Sequence, residues 1–486
     1  MLMQPTACRS YEHACMPADP RCWSMWVAMG CLKPEAHSFT HLRSLWVCSA
    51  EHLVPCAAVE LTPPGFGLLS NVHACELESV ISSQSSRWNA SSCKFSADDR
   101  GPVYLDVFPL PTLISCDSNG LSNRLPSMNR FSEPLPPLNR SGHIANAKHA
   151  LARLPGSLVD LDASRMAIVF YCVGILDLLG ALQDQTTVAE RASWRTWIWE
   201  QYATGPYGTG FKPGPFMSKT STSSGHDSPH IIMTYTALLS LSMLQDDFSH
   251  LNRPGLLRFV GSCQNRDGSF SSTPNGGGDS DLRNLYSAFC ICSMLGDWSS
   301  IDVERAIAFV ASCRTYEGGY GQLPSCEAQG GLTYLAIAAL HLAPPGPRPR
   351  LTPADKAKTE HWLVHSQDAS GGFRGRTGKA PDACYCFWGG AALRILGAHD
   401  KINAYAFTQF LAACQFPFGG IAKAPGQPPD LYHTYLSLAA AAMYAPRVEL
   451  SARAYGQWEF ASFNPLLNAR EETVRWAKNY IPARRF

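Results

Sequence analysis

The sequence predicts an all-α fold, an alpha-alpha barrel of about six helical hairpins, preceded by a largely disordered N-terminal region. Three observations lead to this prediction: an internal repeat of about 50 residues, a set of runs that are apolar on most sides, and a change of composition near residue 146. The 486 residues exceed what one compact domain usually fills. We therefore expect an unassigned region over 1–145, the barrel over 146–476 and a C-terminal tail over 477–486.

The repeat consists of four segments in which an apolar stretch ends at Cys or Ser and a glycine-containing turn follows. The first glycines of these turns, Gly268, Gly318, Gly371 and Gly419, are 50, 53 and 48 residues apart. Glycine turns end helices, and similarity at a fixed period indicates that one helical unit is repeated along the chain.

A second apolar run follows each turn, and two earlier runs fit the same role. The six runs cover 166–182, 231–244, 285–295, 332–342, 385–396 and 431–443. Helices that are apolar on most sides are buried on two sides, as in the inner layer of a closed ring. A linear solenoid is the alternative, although its inner helices more often show a polar stripe.

Composition excludes some classes of protein. The 40 Lys+Arg and 39 Asp+Glu give a net charge of +1, so we expect no nucleic-acid partner. The sequence has no uncharged apolar window of 18 residues and no secretory signal, which predicts a soluble, cytoplasmic protein without a membrane span. Nine of the 18 cysteines precede residue 140 and are expected to be reduced. The region 1–145 lacks a regular period, and a small unrelated domain is the alternative to disorder there.

A candidate metal site lies where two inner helices begin. Asp382 and Cys384 stand two residues apart at the end of a Gly/Pro-rich loop, and His433 stands at the equivalent start of the next inner helix. Asp, Cys and His can form a three-ligand zinc site with an open fourth position, which is typical of catalytic sites. The alternative is that His433 is a hydrogen-bonded core residue.

Two further groups point to an anionic lipid as ligand. Arg376 and Lys379 lie three apart in the same loop, close to Tyr385, and could bind a diphosphate, or could simply be solvated. Aromatic residues on the inner helices could pack a core or line a lipid cavity; they are Tyr235, Tyr286 and Trp388.

Together these segments resemble the beta subunits of protein prenyltransferases, most closely the type I geranylgeranyl branch. The resemblance covers 148–476 and rests on 164–170, 230–236, 279–286, 317–321, 327–334, 376–388 and 419–423 with His433. It implies a zinc enzyme that works as a heterodimer with an alpha subunit. It also implies transfer of a geranylgeranyl group from its diphosphate to the cysteine of a C-terminal CaaX sequence, with X usually Leu, on small GTPases.

The resemblance also implies roles for individual residues. Zinc would be held by Asp382, Cys384 and His433, the diphosphate by Arg376, Lys379 and Tyr385, the isoprenoid by Tyr235, Tyr286 and Trp388, and the peptide by His230 and Arg283.

One position departs from the family pattern. Gln329 stands where the family usually has a histidine that donates to the diphosphate. An amide can donate a hydrogen bond but carries no charge. We therefore expect weaker diphosphate binding or a slower reaction.

Two positions favour the geranylgeranyl branch. Ala167 falls where farnesyltransferases have a bulky Trp that shortens the lipid pocket, and Lys423 falls where they have a magnesium-binding Asp. We therefore expect a 20-carbon substrate and no magnesium requirement. The rivals are a farnesyl or Rab-specific beta subunit, a terpene cyclase, whose aspartate cluster we do not find, and a non-catalytic toroid.

Overall fold

The computed structural model describes residues 135–154, 156–215, 228–347, 349–444 and 458–482. The nine N-terminal cysteines and the predicted disorder before residue 135 lie outside the described residues. The division of the chain at residue 146 stays a prediction, and that residue falls inside the first described helix.

Helices dominate the described part of the chain. In chain order they are α1 (Arg140–Ala152), α2 (Arg165–Leu178), α3 (Ala181–Asp184), α4 (Val188–Glu200), α5 (Ile231–Met243), α6 (Arg253–Ser262), α7 (Leu282–Leu295), α8 (Val303–Ser312), α9 (Gly330–Leu342), α10 (Pro353–His365), α11 (Ala383–Leu396), α12 (Ala404–Ala413), α13 (Leu431–Tyr444) and α14 (Glu471–Tyr480). Short 3-10 helices cover Gly156–Ser164, Pro274–Gly276 and His399–Lys401.

Five short antiparallel strand pairs, which the sequence analysis did not predict, lie between the helices. They are β1 (Tyr202–Gly205) with β2 (Gly208–Phe211), β3 (Ser271–Thr273) with β4 (Gly277–Ser280), β5 (Phe373–Arg374) with β6 (Pro381–Asp382), β7 (Ile421–Ala422) with β8 (Pro429–Asp430), and β9 (Phe463–Asn464) with β10 (Ala469–Arg470).

Six helices form the inner layer of the barrel. Each of α2, α5, α7, α9, α11 and α13 contacts the next, and α13 contacts α2, so the ring closes. All residues of α5 are buried, whereas the outer helix α8 buries only Ala306, Phe309 and Val310. The inner helices coincide with the six predicted apolar runs, and the predicted alpha-alpha barrel is confirmed.

The repeated turns, each between an outer and an inner helix, pack against the next outer helix of the barrel. Gly371 has a φ of 93°, and a Cβ added there would lie 2.0 Å from the carbonyl oxygen of Ala406 in α12. Gly419 has a φ of 102°, and its added Cβ would lie 2.1 Å from the carbonyl oxygen of Gly142 in α1. Only glycine permits this conformation with so close an approach. The contact between Gly419 and α1 joins the last turn to the first helix.

The remaining C-terminal elements lie against the inner ring. Helix α14 contacts α5 and α7, and the strand pair β9–β10 contacts α13. Within the described ranges, every helix is too short or too polar to cross a membrane.

Candidate active site

The three predicted metal ligands come together at the start of two adjacent inner helices. Asp382 is the last residue of β6 and caps α11, where its side chain accepts a hydrogen bond from the Cys384 amide at 2.9 Å. His433 is the third residue of α13, and all three side chains are buried. One ligand atom from each residue lies within 4.8 Å of the other two.

The orientation of His433 fits a metal ligand. Its Nδ1 lies 2.5 Å from the Asp430 carboxylate, and the close carboxylates of Asp382 and Asp430 raise the pKa of the ring well above its usual value despite burial. Once the ring is neutral, with its proton on Nδ1, Nε2 offers its lone pair to a metal. Nε2 is buried and has no partner in hydrogen-bond geometry, although it lies 3.2 Å from Oδ1 of Asp382. A buried nitrogen facing a carboxylate and a thiol, and fixed by a second carboxylate behind it, is the arrangement in which zinc is usually held.

Burial also shapes the ionisation of these groups. Burial raises the pKa of the Cys384 thiol to about 12, and the charge of Asp382 adds to this effect. Burial alone would raise the pKa of Asp382 as well, but the close approach of the His433 ring and the hydrogen bond from the Cys384 amide outweigh burial and lower that pKa. The carboxylate is therefore charged, and a cation beside it would favour the thiolate form of Cys384.

The predicted basic loop is attached directly to this site. It joins β5 to β6, so Arg376 and Lys379 precede Asp382 by a few residues. Lys379 is exposed, and Nη1 of Arg376 lies 3.2 Å from a carboxylate oxygen of Glu327. Nζ of Lys423, which follows β7, lies 3.8 Å from Oδ2 of Asp382. Lys423 thus lies beside a candidate metal ligand, and Arg376 and Lys379 lie in the loop that leads to it.

A largely aromatic cavity opens next to the ligands. About 900 Å³ of empty space lies between its walls, and part of that space is open to solvent. Seven of the predicted site residues line it, namely Ala167, Tyr235, Arg283, Tyr286, Gln329, Tyr385 and Trp388. Other side chains in its wall include Phe170, Tyr171, Ile232, Leu332, Leu335, Tyr432, Leu436 and Asn468. A concave site with apolar walls and few polar groups is typical of a lipid or small-molecule site.

Gln329 uses both ends of its amide within the protein. Its Oε1 accepts from the Leu332 amide at 3.0 Å and caps α9, and its Nε2 donates to the Tyr385 hydroxyl at 3.1 Å. Burial, followed by the nearby Cys384, raises the pKa of Tyr385 well above its usual value. The phenol therefore stays neutral, and its own proton can point away from Gln329.

The two predicted peptide-binding residues differ in their surroundings. Arg283 lines the cavity and is held by Asp281 at 2.6 Å and by Asp279 at 3.0 Å. His230 is buried, and neither of its ring nitrogens has a hydrogen-bond partner. Burial, with a smaller contribution from the charge of Arg283, lowers the pKa of His230 to about 4, so the ring is neutral at physiological pH.

Comparison with known proteins agrees with this geometry. The sequence model of the Prenyltransferase alpha-alpha toroid domain matches residues 138–469. The chain belongs to the prenyltransferase family.

Several prenyltransferase subunits resemble the chain over much of its length. Geranylgeranyl transferase type-1 subunit beta of Arabidopsis thaliana is 32% identical over 348 residues, which are 67% of this chain and 91% of that protein. The subunit of the same name from Dictyostelium discoideum is 45% identical over 215 residues, 44% of this chain and 59% of that protein. Protein farnesyltransferase subunit beta of Schizosaccharomyces pombe is 33% identical over 328 residues, 64% of this chain and 78% of that protein.

A solved structure supports the fold. The Candida albicans protein geranylgeranyltransferase-I complexed with GGPP superposes with a TM-score of 0.61 at 24% identity, covering 72% of this chain and all of that chain. The prediction of a prenyltransferase enzyme is thus confirmed at the level of the family. The roles of the individual site residues stay predictions.

Sequence reasoning missed part of this prenyltransferase site. Asp430 supports His433, and Tyr432 lines the cavity beside it, with its ring centroid 5.0 Å from that of His433. The segment from Asp430 to His433 offered a signal, because a carboxylate three residues before a candidate ligand can reach it across the first helical turn. Asn468 lies outside the repeats, and no sequence pattern marked it.

Proposed function

We propose that this chain is the beta subunit of a zinc-dependent protein geranylgeranyltransferase of type I. The observation that carries the proposal is the buried group Asp382, Cys384 and His433 beside a deep aromatic cavity. In the proposed reaction, a geranylgeranyl group passes from its diphosphate to the cysteine of a C-terminal CaaX sequence, with X usually Leu.

The ligand set suits this chemistry. A zinc ion held by these three residues would lower the pKa of a substrate thiol, making it nucleophilic near neutral pH. The sulfur forms a bond to C1 of the isoprenoid, the bond from C1 to oxygen breaks, and the diphosphate leaves with the bonding electrons. The thiol proton goes to solvent.

The chain's own residues stabilise the departing diphosphate. Arg376, Lys379 and Lys423 supply positive charge beside the ligands, and the buried Tyr385 supplies a neutral hydroxyl donor. Because negative charge grows on the diphosphate as C1–O breaks, these interactions strengthen toward the transition state.

The choice of isoprenoid rests on two residues. Ala167 lines the cavity and is small enough to leave room for a longer chain. Lys423 provides a charge that would make magnesium unnecessary. The farnesyl alternative is favoured by the similarity to the Schizosaccharomyces pombe subunit. Direct comparison of farnesyl and geranylgeranyl diphosphate distinguishes the two.

The proposal includes a partner and a setting. An alpha subunit would complete the enzyme as a heterodimer, small GTPases would be the protein substrates, and the cytoplasm would be the location. The Candida albicans protein geranylgeranyltransferase-I, which has the same fold, is complexed with GGPP.

The test uses the full chain co-expressed with a prenyltransferase alpha subunit. Radiolabelled geranylgeranyl diphosphate and a CaaX peptide ending in Leu are added, and zinc content is measured. We expect about one zinc per heterodimer and label joined to the peptide by a thioether. Label in a free cyclic hydrocarbon would instead indicate a cyclase, and no product would favour a non-catalytic toroid.

Two cysteines of one helix provide a matched pair of variants. Cys384→Ala removes a proposed ligand, whereas Cys386→Ala removes an equally buried thiol of α11 outside the ligand group. We expect loss of zinc and of transfer in the first variant and retention of both in the second. Equal behaviour of the two variants would contradict the proposed zinc site.

A further inference from the structure

A hairpin lies inside the barrel at one end of the aromatic cavity, and we call its tip the plug. Residues 465–468 form the tip of the β9–β10 pair, in which Asn464 pairs with Ala469. The Asn464 side chain accepts from the amides of Leu466 and Leu467 at 3.0 and 3.1 Å, which fixes the turn.

Four tyrosines from four inner helices bind this tip. Each carbonyl oxygen of the tip accepts a hydrogen bond from one tyrosine hydroxyl. The pairs are Pro465 with Tyr334 at 2.9 Å, Leu466 with Tyr286 at 3.0 Å, Leu467 with Tyr235 at 3.0 Å and Asn468 with Tyr435 at 2.7 Å. Buried carbonyl groups without hydrogen-bond donors would destabilise the folded protein. The tyrosines satisfy all four carbonyls, and Tyr235 and Tyr286 also line the cavity.

The plug lies at the depth where the cavity ends. Every inner-helix residue in the cavity wall comes from the first seven residues of its helix, which is about two helical turns. Asn468 is the plug residue that joins them in the wall. The space available to an isoprenoid therefore ends at Asn468.

Asn468 is unusual in two respects. Its φ is 51°, a left-handed conformation that Asn and Gly adopt most easily. Its Oδ1 is buried and has no hydrogen-bond partner. The backbone explains why an Asn or Gly is favoured there, but it gives no structural reason for an unpartnered Oδ1 next to an apolar cavity.

We propose that Asn468 sets the depth of the lipid cavity and so limits the length of the isoprenoid that the enzyme accepts. This inference rests on the proposed function, since it assumes that the cavity takes an isoprenoid. It adds a second determinant of chain length, at the floor, to Ala167 in α2.

Two substitutions should change chain-length preference in opposite directions. Asn468→Gly keeps the left-handed backbone and deepens the floor, whereas Asn468→His keeps a residue tolerated there and makes the floor shallower. The full chain is co-expressed with an alpha subunit, and all-trans diphosphates of 15, 20 and 25 carbons compete for binding and transfer. We expect the first variant to favour 25 over 20 carbons by about tenfold more than wild type, and the second to favour 15 over 20 carbons by a similar factor.

Asn275→Gly is the matched control, because Asn275 has a φ of 57° and is exposed in the β3–β4 turn. It removes the same side chain from the same backbone conformation and should leave all ratios unchanged. Wild-type ratios in both Asn468 variants, with isoprenoid still bound, would overturn the role of Asn468 but not the proposed function. Failure of the wild-type heterodimer to bind any isoprenoid diphosphate would overturn both.

Discussion

Gln329 occupies a position in the candidate site that is usually a histidine, and its hydrogen bonds suggest a different role. The family pattern has a histidine there, which can carry a charge toward a diphosphate. In this chain the amide caps α9 and orients the Tyr385 hydroxyl. Because the Tyr385 hydroxyl accepts from Gln329, its own proton is directed away from that amide. We therefore predict that Gln329 positions Tyr385 and that Tyr385 donates to the diphosphate.

Restoring the charge at this position should strengthen diphosphate binding in acid. For Gln329→His, we expect affinity for geranylgeranyl diphosphate to rise about tenfold near pH 6, because a charged donor contributes more than a neutral amide. The gain should be present below the ordinary histidine pKa of about 6.5 and disappear as the pH rises to 8. Binding titrations of the heterodimer across this range measure the effect.

The control for this variant is Gln329→Met, which keeps the length of the side chain and removes the amide. It should lose about 1 kcal/mol of stability through the missing cap and show no added pH dependence. A flat pH profile for Gln329→His would count against a histidine-like role at this position.

Substitution of Ala167 tests whether the cavity wall at α2 also limits the length of the isoprenoid. Its side chain is 2% exposed and faces the cavity beside Phe170 and Tyr171. We expect Ala167→Trp to fill this part of the cavity and shift preference from geranylgeranyl to farnesyl diphosphate by about tenfold. Competition between the two labelled diphosphates gives the ratio. Unchanged selectivity, with thermal stability retained, would show that the lipid does not reach Ala167.

At the scale of elements, the repeated turns hold the two layers of the barrel together. The C-cap residues of four outer helices are Cys263, Cys313, Ser366 and Cys414, and each glycine turn that follows leads into the next inner helix. The turn after α10 also carries β5, and β5 pairs with β6, which bears Asp382. A shift in that turn should therefore disturb both packing and the candidate site.

Substitution of two glycines that both have left-handed conformations distinguishes the cost of backbone strain from the cost of a steric clash. A Cβ at Gly397, with a φ of 76°, would meet nothing within 4 Å, whereas one at Gly371 would lie 2.0 Å from the Ala406 carbonyl oxygen. We expect Gly397→Ala to cost about 1 kcal/mol of unfolding free energy, and Gly371→Ala to cost about 3 kcal/mol or more, because α12 must also move. Denaturant unfolding of both variants gives the difference, and similar costs would mean that α12 gives way easily.

The sequence predicts those elements whose burial leaves a local pattern. The inner helices are recognisable because runs such as 231–244 are apolar on all sides, and Asp382, Cys384 and His433 are recognisable by their positions at helix starts. The hairpin plug could not be predicted. Its residues 465–468 have no repeat partner, and their role depends on four tyrosines that are distant in sequence and meet only in the closed ring.

At the scale of the whole molecule, α1 joins the two ends of the outer layer of the barrel. Gly419 contacts Gly142, the Gly420 amide donates to Nδ1 of His143 at 2.9 Å, and the Asn139 amide donates to Gln415 at 2.9 Å. These contacts join residues more than 270 positions apart in the chain. Residues that precede the predicted boundary at 146 thus contact the last glycine turn of the barrel.

Truncation measures the contribution of this closure. A chain that starts at residue 135 keeps the buried Leu135, Leu138 and Ile144, whereas a chain that starts at residue 146 loses them together with the contact at Gly419. Because each buried aliphatic side chain contributes about 1.5–3 kcal/mol, we expect the shorter chain to lose about 5 kcal/mol of stability and the longer one to match the full chain. Thermal unfolding of each form, co-expressed with an alpha subunit, checks this prediction. Equal stability of the two truncated forms would mean that the barrel does not need residues 135–145, and the domain would then begin at 146.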